Sequence, residues 1–337
     1  MGTDAGASAE TDRDAAGRRD QGKLVVRRVA RGFFRTWSAD AAAGLTFYAV
    51  LALFPALIAA FSLIGVIGEK RTAVDAVLDV ARDVLATDVV DAIAEPIEEV
   101  ASTAGGIWVL LPALAVALWS VARYVTALGR AINRIYGVPE GRVYWKAKPI
   151  HLLVTLLVFV LVTIACVLAA LSRPVAESIG GMLGAGEVAL TIWRIGRWPA
   201  LVLIVALIVA VLYYFAPNVR QPRFRFISVG AVAALLLFAI ASFGFGFYVS
   251  NLADYDRIYG SFAGIVIFLL WLWIGNMALL LGALLDAELE RVHELREGIP
   301  AERDLQVELR DTERLERNAE NDLRDERDAR RLRRSRR

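Results

Sequence analysis

A few polar side chains interrupt the long apolar segments of this 337-residue chain, and these are the residues that could handle a polar solute. Asn276 is the amide deep in the last apolar segment, whereas Asp286 stands at the end of that segment. Ser120 and Arg123 lie one helical turn apart at the end of another segment, and Pro55 frees a backbone carbonyl in the middle of the first. Polar groups of this kind mark solute and ion pathways in membranes. The sequence therefore predicts a polar membrane site at these five residues.

Two roles are open for these side chains. Asn276, Asp286 and Arg123 would form one polar cluster at the cytoplasmic end of the bundle if they lined a solute path. Alternatively, they would provide the hydrogen bonds between helices and the salt bridges at helix ends that helical bundles use as glue. Two positions are also open for the Arg123 side chain. It either extends to the lipid head groups, as an Arg near the end of a span usually does, or is buried with a partner.

Other chemistry is poorly supported by the residue types and their spacing. The single cysteine, Cys166, rules out an intramolecular disulfide, and His151 and His293 lack metal-ligand spacing. Neither a nucleophile-elbow motif nor a phosphate-binding loop occurs in the chain. The sequence therefore predicts no enzyme, no metal site and no cofactor, and it argues against an ATP-driven pump on this chain alone.

The elements that must position the polar residues are long apolar segments without Asp, Glu, Lys or Arg. A membrane-crossing helix needs about 20 apolar residues to span roughly 30 Å of hydrocarbon. The segments of about that length or longer are Gly44–Gly68, Ala104–Ala122, Pro149–Ser172, Trp198–Val219, Phe226–Ala253 and Ile258–Leu285. With 57% hydrophobic residues overall, the chain is predicted to be an all-α polytopic membrane protein with six transmembrane helices.

The charged residues predict the domain organisation and the orientation of the bundle. Residues 1–22 are predicted to be a disordered tail, residues 23–296 the membrane domain, and residues 297–337 a charged, solvated and partly helical cytoplasmic tail. The segments assigned to the cytoplasm carry 14 Lys and Arg residues near the spans, against 7 on the other side. The positive-inside rule then predicts that both termini lie in the cytoplasm.

Several finer features follow from residue spacing. The second span is predicted to continue as a helix to about Ile135, since no proline interrupts it. The loop between the first two spans alternates apolar and acidic residues at helical spacing, which predicts an outer amphipathic helical loop. Small residues four apart predict close helix packing at two places, Ser242 with Gly246 and Gly260 with Gly264.

Six sequence motifs, taken together and in order, are more specific than any one of them. They are AGLTFYAVLALFP at Ala43–Pro55, LWS at Leu118–Ser120, AINRIY at Ala131–Tyr136, YFAPNVR at Tyr214–Arg220, Tyr255 followed by YGS at Tyr259–Ser261 with Trp271, and GALLDAELER at Gly282–Arg291. In these motifs the chain resembles the YihY/virulence factor BrkB family, whose members were formerly labelled ribonuclease BN. The resemblance covers about residues 25–296. At the last motif many members have Gly-Ala-Glu-Leu-Asn, so Asp286 or Glu288 would have to supply the carboxylate that Leu284 replaces here.

The resemblance implies a six-span inner-membrane protein for which transport is the usual hypothesis. We therefore expect a transporter or exporter of a small or lipid-like solute. The alternative is an envelope scaffold that uses the outer loop and the charged tail to bind partners, and ribonuclease activity is not expected. The expected partners are membrane lipids, a small-molecule or lipid substrate and a second copy in a homo-oligomer, with no specific nucleic acid.

Overall fold

The computed structural model describes most of the chain between residues 21 and 335. The described residues are 21–67, 74, 78, 90, 94–95, 97–99, 102, 106–170, 187–220, 228–251 and 260–335. Residues 1–20 of the predicted disordered tail, and most of the predicted outer amphipathic loop, lie outside these residues, whereas residues 21–22 of that tail are helical. Within that loop Val74, Leu78, Val90 and Ile97 are described, and each is helical and buried.

The described residues form an all-α membrane protein, which confirms the predicted fold class. A short helix α1 covers residues 21–35, and a C-terminal helix α8 covers Glu313–Ser335. Between them, six helices are long and apolar enough to cross a membrane. They are α2 (Ser38–Ile67), α3 (Gly106–Tyr136), α4 (Tyr144–Ala170), α5 (Glu187–Phe215), α6 (Val229–Asn251) and α7 (Ala263–Arg296).

Several helices extend beyond the charge-free segments. The prediction that α3 continues to about Ile135 is confirmed, since this helix ends at Tyr136. Helix α4 begins at Tyr144 rather than at Pro149, and α7 ends at Arg296 rather than near Leu285. Charge-free segments mark the part of a helix that crosses hydrocarbon, whereas the backbone hydrogen bonds continue through the polar interface.

The helices are packed most tightly toward one end of the bundle. We call this the basal end, defined as the end where α1 joins α2 and where α7 meets the C-terminal tail. The main hydrophobic core gathers buried side chains from the basal parts of α2 to α7, among them Leu45, Leu128, Ile132, Leu280 and Leu284. Helix α2 packs along α3, α6 along α7 and α4 along α5, while α7 also contacts α2 and α3.

A close approach between α6 and α7 depends on two glycines. A Cβ atom added at Gly230 would lie closer than 3.0 Å to the carbonyl oxygen of Gly282, and the reverse is also true. Because the obstructing atom is backbone on each side, neither helix could give way locally. These glycines therefore set the spacing of the two helices at the basal end.

The four small residues predicted to pack helices occupy different surroundings. The Ser242 hydroxyl accepts a hydrogen bond of 3.1 Å from the Trp271 indole, and Gly264 is buried in the first turn of α7. A Cβ added at Gly246 would meet no atom within 4 Å, and Gly260 lies exposed in a 3-10 turn with φ of +54°. The expected close contact at Gly246 is thus absent from the described part of the chain.

Helix α1 runs antiparallel along the basal end of α7. Gln21 contacts Arg296, Arg28 forms a 2.8 Å salt bridge with Glu288, and Gly32 faces Leu284. Glu288 is 5% exposed and also pairs with Arg291 at 3.1 Å, while Arg291 donates a 2.6 Å hydrogen bond to the Ala301 carbonyl. This ion cluster therefore joins α1, α7 and the start of the tail.

The C-terminal tail has two parts with different surroundings. Residues 301–311 cross the basal end, where Ala301 and Leu305 are buried and a single β-bridge pairs Val219 with Leu309. Helix α8, which follows, is exposed along nearly its whole length. The tail was predicted to be solvated, but its first part lies against the membrane domain because the exit of α5 offers unpaired backbone groups.

Candidate functional site

Asn276 joins three helices through hydrogen bonds. Its amide nitrogen donates to the Thr46 hydroxyl (3.1 Å) on α2 and to the Leu272 carbonyl (3.0 Å) on α7. Its amide oxygen accepts a 2.8 Å hydrogen bond from the Tyr124 hydroxyl on α3. Asn276 is 6% exposed and uses both its donors and its acceptor within the bundle. These hydrogen bonds form a structural junction between α2, α3 and α7, which we call the Asn276 junction.

Removing the hydrogen bonds of the Asn276 junction should destabilise the protein. In membranes a hydrogen bond between helices contributes roughly 0.6 kcal/mol on average. Asn276→Leu removes the two bonds to α2 and α3 and should lower the free energy of unfolding by about 1–2 kcal/mol, whereas Thr46→Val should cost about half as much. Thermal unfolding in detergent micelles measures both. Unchanged stability in Asn276→Leu, with lost activity, would instead make this residue a solute ligand.

Asp286 lies away from the Asn276 junction. It follows Asn276 by ten residues on α7, which is about 15 Å along the helix axis. Its carboxylate accepts a 2.7 Å hydrogen bond from the backbone N–H of Gly230, near the first turn of α6. The predicted cluster of Asn276, Asp286 and Arg123 is therefore not formed. Each of the three residues makes its own contacts. The rise of the helix separates Asn276 from Asp286, although both belong to the same apolar segment and its end.

Arg123 is exposed on α3 and lies against aromatic rings. Its guanidinium carbon is 5.0 Å from the centre of the Trp119 ring and 5.9 Å from that of Tyr48. No carboxylate lies within ion-pair distance of Arg123 among the residues that the structure describes. Arg123 precedes Tyr136 by 13 residues, so it is about 20 Å from the basal end of its helix and close to the helix midpoint.

The surroundings of Arg123 do not fully compensate its charge. An Arg at the centre of a membrane helix costs roughly 2.5–3.5 kcal/mol on insertion scales. At exposed sites cation–π contacts contribute about 0.5–1 kcal/mol each, so two of them offset only part of this cost. Water, a lipid head group reached by snorkelling, or an anion from outside the chain can supply the rest.

A groove between α3 and α4 extends from the level of Ala115 past Arg123 toward the basal end. Its cavity volume is about 270 Å³. It is lined by Ala115, Leu118, Trp119, Ala122, Arg123, Thr126, Lys148, His151 and Leu152. We call it the α3–α4 groove. Neither Asp nor Glu occurs among these lining residues, so the charges of the groove are positive.

The polar residues of the groove lie at successive levels along the bundle. The Thr126 hydroxyl on α3 lies 3.2 Å from Nδ1 of His151 on α4, so these two residues share one level. Arg123 is one turn distal on α3, and Lys148 is one turn basal on α4. At 1.5 Å per residue the Cα atoms of Arg123 and Lys148 are about 9 Å apart along the bundle axis. Trp145 lies three residues before Lys148 and nearer the basal end. It is 74% exposed, as is typical of Trp at a membrane interface.

The remaining predicted site residues do not line the groove. Ser120 is fully buried, and its hydroxyl has no hydrogen-bond partner within the described residues. Pro55 is inside α2, where its ring leaves one backbone carbonyl without the usual donor. Sequence reasoning identified Arg123 but missed Lys148 and His151, because a basic residue at the start of a span is read as an orientation signal.

A second polar network closes the basal end. The Arg142 side chain is 2% exposed and pairs with Glu140, at 2.8 Å from Nε to Oε1 and 2.9 Å from Nη2 to Oε2. It also donates a 2.8 Å hydrogen bond to the Ala216 carbonyl at the end of α5. Asn133 donates to Glu140 at 3.0 Å and accepts from the Asn218 backbone N–H at 2.7 Å. The network ties the turn after α3 to the exit of α5.

The tail completes this network. The Arg310 guanidinium donates to the carbonyls of Val219 (2.7 Å) and Tyr214 (2.5 Å) and lies 4.6 Å from the centre of the Tyr214 ring. Lys146 at the start of α4 pairs with Asp311 at 2.9 Å. Hydrogen bonding to Lys146 lowers the pKa of the Asp311 carboxyl below its ordinary value. Residues 308–311 therefore hold α4 and α5 together at the basal end.

The comparisons with known proteins agree with this architecture. Residues 30–306 match the family described as Virulence factor BrkB. No solved structure shows a significant match to the chain.

Individual relatives are distant. YfkH of Bacillus subtilis, whose name describes it as ribonuclease-like, is 28% identical over 77% of this chain and 92% of its own length. A UPF0761 membrane protein of Alkalilimnicola ehrlichii is 28% identical over 76% of this chain and 56% of its own length. The chain thus spans about half of the length of that relative. Since the family match covers most of the chain, this protein belongs to the virulence factor BrkB family of integral membrane proteins.

Proposed function

We propose that this chain is a transporter or exporter of a small or lipid-like solute, and that the α3–α4 groove binds the polar part of that solute. The observation that carries the proposal is Arg123, a cation near the midpoint of a spanning helix that has aromatic rings but no carboxylate beside it among the described residues. Such a residue in a membrane protein marks a solute path when its charge is not neutralised within the protein.

The location proposed for the protein is the bacterial inner membrane, with the basal end in the cytoplasm. The positive-inside bias of the loops supports this orientation. The groove would then open toward the cytoplasmic leaflet, with Lys148 near the head groups and Arg123 deeper in the membrane. A solute would enter at Lys148 and move toward Arg123.

Exchange of one residue tests the site. In liposomes that contain the purified chain, Arg123→Gln should lower the flux of the transported solute at least about tenfold, since one charge-assisted contact is worth about 1.5–3 kcal/mol. Arg130→Gln is the matched control, because Arg130 is exposed on the same helix seven residues nearer the basal end and does not line the groove. Arg130→Gln should retain the flux of the unmodified chain.

Two outcomes would contradict the proposal. Equal loss of flux in both variants would remove Arg123 from the solute path. A panel of small anions, amphiphiles and lipids without any flux through the unmodified chain would overturn transport itself. In that case the exposed helix α8 would favour the scaffold function instead, and deletion of residues 313–337 would release cross-linked partners.

A further inference from the structure

The chemistry of the α3–α4 groove also indicates a class of ligand. We infer that the groove binds the phosphate head group of an anionic glycerophospholipid, and that such a lipid is the solute of the proposed transport function, on which this last step rests. The head group lies between Lys148 and Arg123. The acyl chains remain in the bilayer beside α3 and α4.

Charge is the first argument for an anion. Arg123 and Lys148 are the charged members of the lining, and both are exposed. Guanidinium and ammonium groups can donate hydrogen bonds but cannot accept them, and Arg binds phosphate through paired hydrogen bonds. His151 and Thr126 lie between them and add polar groups at the intermediate level. The Thr126 hydroxyl itself donates to the Ala122 carbonyl (2.7 Å), so the charged donors for a phosphate are those of Arg123 and Lys148, at the two ends of the polar part of the groove.

The surroundings of the groove favour a lipid over a free anion. Its walls are mainly apolar, and Trp119 and Leu152 at its rim are 51% and 54% exposed. In a membrane these rim residues face acyl chains rather than water. A free anion would have to leave water for an apolar rim at a high desolvation cost, whereas a lipid already has its phosphate at the level of the interface.

Size is the third argument. Pockets that enclose a drug-sized ligand have volumes of about 300–1,000 Å³. The 270 Å³ of this groove is below that range, so it accommodates a head group but not a whole lipid. An open side toward the bilayer is then a requirement for binding, and the exposed rim on α3 and α4 provides it.

Lipid retention measured by native mass spectrometry of the purified full-length chain tests this inference. Phosphatidylglycerol and phosphatidylcholine with identical acyl chains are the probes, and inorganic phosphate is the competitor. We expect preferential retention of phosphatidylglycerol and no displacement by inorganic phosphate. Arg123→Gln and Lys148→Gln should each weaken retention of phosphatidylglycerol about tenfold. Arg123→Lys should retain more than Arg123→Gln, and Arg130→Gln should match the unmodified chain.

Several results would overturn the inference. They are equal retention of the two lipids, equal loss in Arg130→Gln, and displacement by inorganic phosphate, which would make a free anion the ligand. Unchanged thermal unfolding of the variants separates lost binding from lost folding. Selective lipid binding without lipid flux would support the lipid site but overturn the transport function. Flux of another solute without lipid binding would support the transport function but overturn the lipid site.

Discussion

Replacement of Gly282 by alanine should destabilise the protein, whereas replacement of Gly246 by alanine should stabilise it slightly. At Gly282 the new methyl group would lie closer than 3.0 Å to the Gly230 carbonyl oxygen, the Ala234 Cβ and the Tyr213 hydroxyl. Overpacking of this kind costs about 1–3 kcal/mol, and here the Gly230 backbone cannot move without shifting α6. At Gly246 the methyl group meets open space, and the helix gains about 0.5–1 kcal/mol from the better helix former.

The midpoint of thermal unfolding in detergent micelles measures both changes. The opposite signs make the pair informative, since the same substitution is made in two spanning helices of one protein. Destabilisation of similar size at both positions would show that Gly246 lies in a close helix contact as well. That result would support the packing predicted from residue spacing and contradict the arrangement of α6 and α7 described above.

Replacement of Arg142 by methionine should cause a large loss of stability, about 3–5 kcal/mol. The substitution removes the charged partner of the partly buried Glu140 carboxylate and leaves the buried Ala216 carbonyl without its donor. Arg220→Met is the control, because Arg220 and Glu308 are exposed and such surface pairs contribute about 0–1 kcal/mol. Chemical denaturation of the purified chain compares the two variants.

A double variant separates an unpaired charge from lost packing. Arg142→Met combined with Glu140→Gln should recover part of the stability lost in Arg142→Met alone, since it removes the carboxylate that has lost its partner. No recovery would mean that the contacts of Arg142 with the carbonyls at the end of α5 dominate. In that case the salt bridge itself would add little to the stability of the basal end.

The pH dependence of the same site has a definite sign. Burial opposes ionisation of Glu140, but hydrogen bonds and charge from Arg142, together with Asn133, outweigh it and lower the pKa of this carboxyl. A folded-state pKa below the unfolded one gives stability that is present above the unfolded pKa of about 4.3. This stability is lost as the pH falls through the folded pKa. The unmodified chain should therefore keep the contribution at neutral pH, and Glu140→Gln should flatten the acid side of its stability profile.

The fold was predictable because its determinants are local. Hydropathy and the rise of an α-helix decide which segments span a membrane, and both can be taken from consecutive residues. The six spans, the all-α class and the extension of α3 to Tyr136 needed no contact between distant residues. Arg123 could also be chosen as a candidate residue from its type and its place at the end of an apolar segment.

Only the tertiary structure decided which side chains meet. Asn276 is bonded to Thr46 and Tyr124, which are 230 and 152 residues away in sequence. Lys148 joins Arg123 because α4 packs beside α3 in a particular rotation, and hydropathy carries no information about rotation. The tail segment at 301–311 is polar in sequence, yet it binds the basal end because the exit of α5 leaves carbonyls that Arg310 can satisfy. Sequence alone therefore determined which helices cross the membrane, whereas packing between helices determined the groove, because side-chain contacts depend on relative helix rotation and depth.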